Sequence, residues 1–365
     1  MVDRVKAVVH LDHLLHNFQA VKDIHQDKRV MAVVKADAYG HGAVETARYL
    51  EKNSCDFFAV TDMLEGIELR EAGIQSPILI FGKTSPNHAK HLHDYHLIQT
   101  VDGYDYAQSL NQEKMDIDIH IILDTGMSRF GIYCHQDKDH DKTVKEIEKI
   151  LDLTHLHMGG IYTHFALADE NKDADTDHQY KMFIDVISTL EKHDYQLGIK
   201  HCSNSASTIK FPLHQLDMVR TGIAMYGYPP VHQEKLFLPV MEVFAKVISI
   251  RDLLPGDGIS YGWTFRVEKP MRIASIAIGY ADGYFRIFSG KDYFVFNKHK
   301  LPILGRVCMG ITMVDVGNVD IQVGDEVEIF GLHKSLESMA ETAQTISYEL
   351  LTNMRKSRVK FIYQT

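Results

Sequence analysis

The chain has 365 residues, a formal net charge of −10, and a composition that is 45% hydrophobic and 24% charged. These values argue against a disordered or fibrous protein, and the acidic balance argues against a nucleic-acid partner. No apolar stretch approaches the ~20 residues of a membrane span, and the length favours one large domain followed by a smaller one.

Cysteine and histidine spacing predicts neither a disulfide framework nor a metal site. No CxxC pair is present, and the four cysteines lie far apart: Cys55, Cys134, Cys202 and Cys308. Such spacing is typical of a reducing compartment, so we expect a cytoplasmic protein. Four histidines crowd one predicted helix and loop: His88, His91, His93 and His96. Their spacing is irregular and no cysteine or carboxylate set accompanies them, so we interpret them as surface residues.

From Val30 to Arg220 the sequence repeats a short apolar run, a loop and an amphipathic segment, which is the pattern of βα units around a parallel sheet. Eight apolar runs occur, at residues 30–35, 57–61, 78–81, 97–100, 118–123, 157–163, 199–203 and 217–221. Helices are expected between most of them, as at 44–53 and 177–193. Eight units predict the α/β class and a (β/α)8 barrel of the TIM type over residues 1–235.

The pattern changes after Tyr226, where β-rich runs separated by glycine and aspartate turns begin. The runs are 243–250, 272–278, 293–296, 311–316 and 326–329. Glycines within 254–258 and 323–326 supply the positive φ that tight turns need. A second, mostly β domain is therefore predicted over residues 236–365.

Lys35 ends the first predicted strand, which is otherwise apolar. Burial disfavours an ammonium ion and lowers its pKa, so that a free amine becomes available as a nucleophile or a base. A lone lysine at a strand end can equally extend its charged head into water. The surrounding residues decide between these interpretations.

The segment from Ala32 to Gly42, AVVKADAYGHG, resembles the cofactor-lysine motif of the alanine racemases. Further motifs of that family follow in order: DTGMSRFG from Asp124, THFA from Thr163, NSA from Asn204, VRTGI from Val219, ISYG from Ile259 and RVCM from Arg306. An ordered series over both predicted domains is far more specific than one short motif. The resemblance implies interconversion of L- and D-alanine with pyridoxal 5′-phosphate as cofactor.

The resemblance assigns cofactor contacts to residues at or after predicted strand ends, where barrel enzymes place their active sites. Lys35 carries the cofactor and Arg220 donates a hydrogen bond to the pyridine nitrogen. Because an arginine does not give up its proton, the ring stays neutral, which should suppress transamination. The implied phosphate contacts and the remaining cofactor-binding residues are Tyr39, Ser205, Gly222, Ile223, Tyr348, His164 and Asn204.

Racemisation needs a base on each face of the substrate carbon, because the proton leaves one side and returns on the other. The family implies Lys35 for one face and Tyr261, contributed by the other subunit of a homodimer, for the other. His164 lies in the polar chain that the family places beside this phenol. Arg129 binds the substrate carboxylate, and the backbone N–H of Met309, also from the second domain, is the expected second donor.

Three positions depart from the family. Many alanine racemases carry a carbamylated lysine two residues before the aspartate of DTGM, whereas this chain has Ile122. Another group, an anion or a water network, must therefore orient Arg129. Thr221 stands where a proline is common, and Gly310 stands where an aspartate usually follows the methionine. Tyr348 should narrow the side-chain pocket, which favours alanine over serine.

Other functions stay open from the sequence. A racemase for serine, or for small amino acids in general, would use the same residues. A decarboxylase on a similar scaffold would not need Tyr261 opposite Lys35. A non-catalytic pyridoxal phosphate-binding protein would leave the second domain without a purpose. Cell-wall precursor supply and D-alanine catabolism would also be served by the same residues.

Overall fold

The computed structural model describes residues 4–25, 27–231, 236–354 and 356–365. The chain divides into two compact units. The first, called the barrel unit, comprises Leu14–Ala38 and Gly42–Leu238; the second, called the β unit, comprises the chain up to His13, Tyr39–His41 and Pro239–Thr365. The predicted boundary at 235/236 adjoins residues 232–235, which lie outside the described residues. Within the described ranges, no helix combines the length and the apolar character that crossing a bilayer requires.

Within the described residues of the barrel unit, eight parallel strands follow one another around the sheet and are numbered here from first to eighth along the chain. They are Arg29–Val33, Phe58–Val60, Ile78–Ile80, Leu97–Val101, Ile117–Asp124, Leu156–Tyr162, Ile199–His201 and Met218–Thr221. The eighth strand pairs with the first. Hydrogen bonds from Asp217 N to Lys200 O (2.9 Å) and from Arg220 N to Ser203 O (3.1 Å) join the eighth strand to the seventh and close the sheet. The predicted eight-stranded barrel is confirmed.

One helix precedes the first of these strands and the others lie between them, with apolar residues at helical spacing on their buried faces. In the helix His140–Leu151, for example, Val144, Ile147 and Ile150 are buried. The helices are Leu11–Ile24, Ala43–Lys52, Met63–Glu71, Ala89–Asp94, Tyr104–Gln112, His140–Leu151, Asp173–Lys192 and Ser205–Lys210. A short strand, Ile132–Tyr133, pairs beside the fifth strand. The helices predicted at 44–53 and 177–193 are present with slightly shifted ends.

The β unit contains ten strands and two helices within its described residues. The strands are Val5–His10, Met241–Leu253, Gly258–Ile259, Phe265–Arg266, Met271–Ile276, Tyr293–Phe296, His299–Leu304, Thr312–Asp315, Glu326–Phe330 and Lys360–Gln364. The helices are Leu336–Ala343 and Ser347–Thr352. The mostly β character predicted for the second part of the chain is confirmed.

The long strand Met241–Leu253 organises the β unit because several partners share it. Its first half pairs with Val5–His10 and Glu326–Phe330, and its second half pairs with Met271–Ile276. Val5–His10 pairs in parallel with Lys360–Gln364 on its other edge. The N-terminal strand therefore belongs to the β unit, although the sequence pattern placed residues 1–235 in the barrel.

A buried ion pair lies in the core of the β unit. Lys334 Nζ donates to Asp292 Oδ2 at 2.7 Å and to Tyr293 O at 2.6 Å, and Tyr284 donates its hydroxyl proton to the same carboxylate oxygen at 2.7 Å. Burial lowers the pKa of Lys334 to about 8, although Asp292 opposes the shift. The ammonium group of Lys334 and the carboxylate of Asp292 are therefore both paired, as buried charges require.

Candidate active site

Lys35 follows the first barrel strand and opens a left-handed turn. Residues 36–39 all have φ between 51 and 55°, a region that costs non-glycine residues roughly 1–2 kcal/mol each. The carboxylate of Glu65 holds the beginning of this turn. Its Oε1 accepts from Ala36 N and its Oε2 accepts from Thr61 N, both at 2.6 Å. One side chain therefore ties the ends of the first and second strands together.

The environment of Lys35 lowers the pKa of its ammonium group. Its Nζ lies 6.0 Å from the centre of the Phe81 ring. Burial lowers the pKa of Lys35, the positive charges of Arg129 and Arg220 lower it further, and the Glu65 carboxylate opposes them. A larger fraction of Lys35 is therefore uncharged near neutral pH than for a lysine in water.

Arg220, in the eighth strand, is only 3% exposed and is surrounded by neutral acceptors. Its Nη2 donates to Thr163 O and Cys202 O at 2.9 Å and to His164 Nδ1 at 3.3 Å, while Nη1 donates to His201 Nδ1 at 2.9 Å. Among the described residues, no carboxylate pairs with it and its Nε–H meets no acceptor. Burial lowers the pKa of Arg220 to about 10, which leaves it charged at neutral pH.

His164, just after the sixth strand, is held as a neutral imidazole. Burial lowers its pKa well below the usual range, and the nearby charges of Arg220, Arg129 and Lys35 act in the same direction. Because Nδ1 faces the donating Arg220 Nη2, the ring proton belongs on Nε2. The predicted residues Lys35, Arg129, His164 and Arg220 are thus close enough to influence one another electrostatically.

The loops after the seventh and eighth strands meet through Ser205. Its Oγ accepts from Gly222 N at 2.9 Å, so the hydroxyl lies beside the backbone that leads to Ile223. Asn204 caps the helix Ser205–Lys210, because its Oδ1 accepts from Ser207 N at 3.0 Å. Asn204 thus has a structural function that its place in the NSA motif did not reveal.

Arg129 is exposed and its guanidinium lies 5.7 Å from the centre of the Phe130 ring. It makes no hydrogen bond or ion pair with any described residue, which leaves its donors available to a carboxylate. Asp124 shapes the loop that carries Arg129, since its Oδ1 accepts from Ser128 N at 2.9 Å. Ile122 is buried in the fifth strand and supplies no polar group to replace the family's carbamate.

Tyr39 and Tyr348 lie together in the β unit. Their ring centres are 5.9 Å apart, with the planes inclined by 50°. Tyr39 is buried, and burial together with Tyr348 raises its pKa above the usual range. Its phenol therefore keeps its proton and can donate a hydrogen bond.

Tyr261 projects from the β unit and is 72% exposed. It begins the short 3-10 turn Tyr261–Trp263, which follows Ser260 with φ of 64°. The Ser260 hydroxyl donates to Arg306 O at 2.6 Å and fixes the start of this turn. Gly258 is required beneath it, because a Cβ there would lie 2.4 Å from Trp263 Cγ.

Met309 is 61% exposed, and Gly310 after it lies beside two arginines, Arg4 and Arg358. Arg4 Nη2 donates to Gly310 O at 2.7 Å and would lie 3.0 Å from a Cβ at that position. Arg4 and Arg358 both pair with the buried Asp282, at 3.6 and 2.8 Å. Asp282 therefore offsets the positive charge of the two arginines beside Gly310.

Several residues around the site were not predicted from the sequence. Glu65 and His201 belong to no motif, although a histidine inside the apolar run 199–203 is a detectable anomaly.

Thr221 is buried with a hydroxyl that has no partner among the described residues, and nothing in the structure explains why it replaces a proline.

Comparison with known proteins identifies one family over nearly the whole chain. The family profiles described as alanine racemase, N-terminal domain, and alanine racemase, C-terminal domain, match residues 9–230 and 240–363. Alanine racemase 1 of Clostridium acetobutylicum is 37% identical, over 98% of this chain and 95% of that protein.

Solved structures agree with the sequence relatives. The structure of alanine racemase from Clostridium difficile 630 is 34% identical with a TM-score of 0.93, covering 100% of this chain and 97% of that one. The structure of alanine racemase from Bartonella henselae with covalently bound pyridoxal phosphate is 29% identical with a TM-score of 0.88, covering 99% of both chains. The chain therefore belongs to the alanine racemase family, whose members are isomerases acting on an amino acid.

Proposed function

We propose that this chain racemises alanine with pyridoxal 5′-phosphate held on Lys35, by a two-base mechanism in a homodimer. The observation that carries the proposal is that two paired strands present a lysine with a lowered pKa and a buried, charged arginine: Lys35 follows the first strand and Arg220 lies in the eighth. Burial and neighbouring positive charge lower the pKa of Lys35, so that its amine is available to an aldehyde carbon. Arg220 stays charged among neutral acceptors and is available as a permanent donor.

The residues of the barrel unit fit the cofactor at three points. The Lys35 amine suits its aldehyde, and the Nε–H of Arg220, which has no acceptor among the described residues, suits the ring nitrogen. The Ser205 hydroxyl and the backbone N–H of Ile223 suit its phosphate. The Gly222 N–H donates to Ser205 Oγ at 2.9 Å and so orients that hydroxyl, and its direct contact with the phosphate stays a prediction. The covalently bound pyridoxal phosphate of the Bartonella relative supports this assignment. The phosphate contacts of the two tyrosines in the β unit stay predictions.

Arg129 binds the substrate, and Arg220 controls the charge on the cofactor ring. When bound, pyridoxal 5′-phosphate withdraws electrons from the α-carbon of the amino acid and makes its proton acidic. Arg129 presents two parallel N–H donors to the substrate carboxylate. Arg220 would donate a hydrogen bond to the ring nitrogen and would keep its proton, which would limit how far negative charge moves into the ring. Limiting that charge favours return of the proton to the α-carbon.

Proton transfer needs one group on each face of the α-carbon. Lys35 Nζ takes or returns the proton on one face, and its lowered pKa increases the fraction of neutral amine that can take it. Tyr261 of the partner subunit takes or returns the proton on the other face at its phenol oxygen. The strong exposure of Tyr261 and Met309 in the single chain supports this sharing, because such side chains are available to a second copy.

The experiment that tests the proposal is chiral chromatography after incubation of the cofactor-loaded protein with L-alanine and, separately, with L-serine. We expect equal enantiomers to form from alanine, faster than from serine, and no conversion by a Lys35→Ala variant. Faster conversion of serine would indicate a racemase of broader or different specificity. Release of carbon dioxide would indicate a decarboxylase, and a bound chromophore without any conversion would indicate a cofactor-binding protein.

A further inference from the structure

Two histidines inside the barrel continue the hydrogen-bond chain that starts at Arg220. His201 Nδ1 lies 2.9 Å from Arg220 Nη1, and His201 Nε2 lies 2.9 Å from His120 Nδ1. The exposed fractions of His120 and His201 are 1% and 0%. The chain therefore connects the fifth, seventh and eighth strands without contact with solvent.

The direction of every proton in this chain follows from Arg220, which can only donate. His201 Nδ1 must accept from it, so the proton of His201 is on Nε2. That N–H donates to His120, whose Nδ1 must accept in turn, so the proton of His120 is also on Nε2. A second proton on either ring would set two donors against each other, so both imidazoles are neutral.

The sixth strand is built to let His120 reach His201 across it. It lies between the fifth and seventh strands, and at this point it carries Gly159 and Gly160. A Cβ at Gly160 would lie 2.7 Å from His120 Cε1 and 2.8 Å from His120 Nδ1, so the imidazole occupies the space of the missing side chain. The register with the fifth strand also shifts between Ile119 and His120, which marks a β-bulge.

A tyrosine of the sixth strand fixes the ring planes. Tyr162 stacks on His201 with ring centres 4.7 Å apart and planes inclined by 8°, and its ring also lies 5.3 Å from Arg220 Cζ. The Tyr162 hydroxyl contacts Thr100 Oγ1 at 3.0 Å. One aromatic face therefore restrains both His201 and the guanidinium.

The electrostatics agree with neutral rings. Burial lowers the pKa of His120 to about 3, and the charge of Arg220 acts in the same direction. Burial and the charge of Arg220 also lower the pKa of His201 well below its usual range. Both imidazoles therefore stay neutral near neutral pH.

We propose that His120 and His201 are positioning residues of the racemase, a pair of neutral imidazoles that orient Arg220 while leaving its positive charge uncompensated. A carboxylate in place of His201 would orient the guanidinium equally well but would offset its charge. The inference rests on the cofactor contact proposed above for Arg220. In this proposal His120 helps to orient Arg220 through His201, without itself contacting the cofactor.

Nitrogen NMR of the cofactor-loaded protein labelled with 15N-histidine tests the proton positions directly. Between about pH 6 and 8 we expect both rings to be neutral, with the proton on Nε2 and no proton on Nδ1. A cationic ring, or a proton on Nδ1 of either residue, would overturn the proposal. This measurement does not depend on turnover, so it stands apart from the test of racemase activity.

Two variants of nearly equal size, His120→Leu and His120→Asn, separate hydrogen bonding from packing. Leucine leaves the N–H of His201 without an acceptor, whereas the amide oxygen of asparagine can accept in place of His120 Nδ1. We expect the leucine variant to bind pyridoxal 5′-phosphate roughly tenfold more weakly and to lose kcat to a similar extent. KM for L-alanine should change by less than about twofold, because Arg129 is untouched.

The asparagine variant should recover most of the cofactor affinity and most of kcat. Equal losses in both variants would show that only the volume of His120 matters and would overturn the proposal, as would the absence of any loss. If the leucine variant fails to fold, the asparagine variant and the NMR measurement still decide. A wild-type protein without racemase activity would contradict the proposed function instead, whatever the proton positions.

Discussion

Replacing Glu65 by glutamine tests how the turn after Lys35 is held. The glutamine keeps the shape of the side chain but removes its negative charge and one of the two acceptors that bind Ala36 N and Thr61 N. The change leaves Lys35 itself intact. Its effects should therefore appear in the stability of the turn and in the protonation of the lysine.

The magnitudes indicate that Glu65 and the strained turn are closely balanced. Four non-glycine residues with left-handed φ store roughly 4–8 kcal/mol, at roughly 1–2 kcal/mol each. Two hydrogen bonds to a carboxylate contribute about 1.5–3 kcal/mol each. Loss of one acceptor should lower the free energy of unfolding by about 1–3 kcal/mol, which urea denaturation followed by circular dichroism can measure.

The same variant should shift the pH dependence of cofactor capture. The negative charge of Glu65 raises the pKa of Lys35, so its removal lowers that pKa further. Attack on the aldehyde needs the neutral amine, whose fraction rises with pH up to the pKa. In stopped-flow mixing of the cofactor-free variant with pyridoxal 5′-phosphate, the rising limb of rate against pH should therefore move to lower pH.

Glu68→Gln is a matched control, because Glu68 lies on the same helix and is exposed, and its side chain makes no contact with Ala36 or Thr61. It should leave both the unfolding free energy and the pH profile close to those of the wild type. An unchanged profile in the Glu65 variant, or a shift to higher pH, would refute the electrostatic argument. A shift of equal size in the control would show that net charge alone is responsible.

Four further predictions concern other parts of the molecule. Lys35→Ala and Tyr261→Phe, each inactive alone, should regain activity on subunit exchange, and a mixture that stays inactive would contradict a shared site. Tyr348→Asn should raise the kcat/KM ratio of serine to alanine, which parallel assays measure; an unchanged ratio would remove Tyr348 from specificity. Gly258→Ala, whose added carbon would meet the neighbouring indole at 2.4 Å, should lower kcat while spectroscopic titration shows unchanged cofactor binding. Because burial lowers the pKa of Lys334 to about 8, the unfolded state holds more protons above that pH. The stability of the wild type relative to Lys334→Met should therefore rise between about pH 8 and 10 by urea denaturation, and a fall would contradict the assignment.

The barrel could be predicted because its strands are buried on both faces and read as continuous apolar runs. All eight runs correspond to strands, with ends shifted by one or two residues. The strand Val5–His10 has the same apolar character, so the sequence pattern could not separate it from the barrel. Its partner Lys360–Gln364 is about as distant as the chain allows, and no local signal specifies such a pairing.

The site was predictable where a motif carries the chemistry and unpredictable where geometry carries it. Lys35 and Arg220 stand out as charged residues at the ends of apolar strands within family motifs. The sequence ADAY at residues 36–39 does not predict a left-handed turn, because alanine and aspartate form right-handed helices at least as readily as they form such a turn. Glu65 and His120 act only through backbone groups and a second side chain that the fold brings to them. Such contacts are tertiary and have no fixed spacing in the sequence.

The parallel pairing of Val5–His10 with Lys360–Gln364 also constrains the order of events during synthesis. Lys6 faces Lys360 in this register, so the strand Val5–His10 meets this neighbour only after the barrel unit and most of the β unit have been translated. The barrel strands, each adjacent to the next in sequence, can pair as they are made. Meanwhile the N-terminal strand offers an unpaired, apolar edge to other nascent chains. The yield of folded protein should therefore depend on how quickly translation reaches the partner strand Lys360–Gln364.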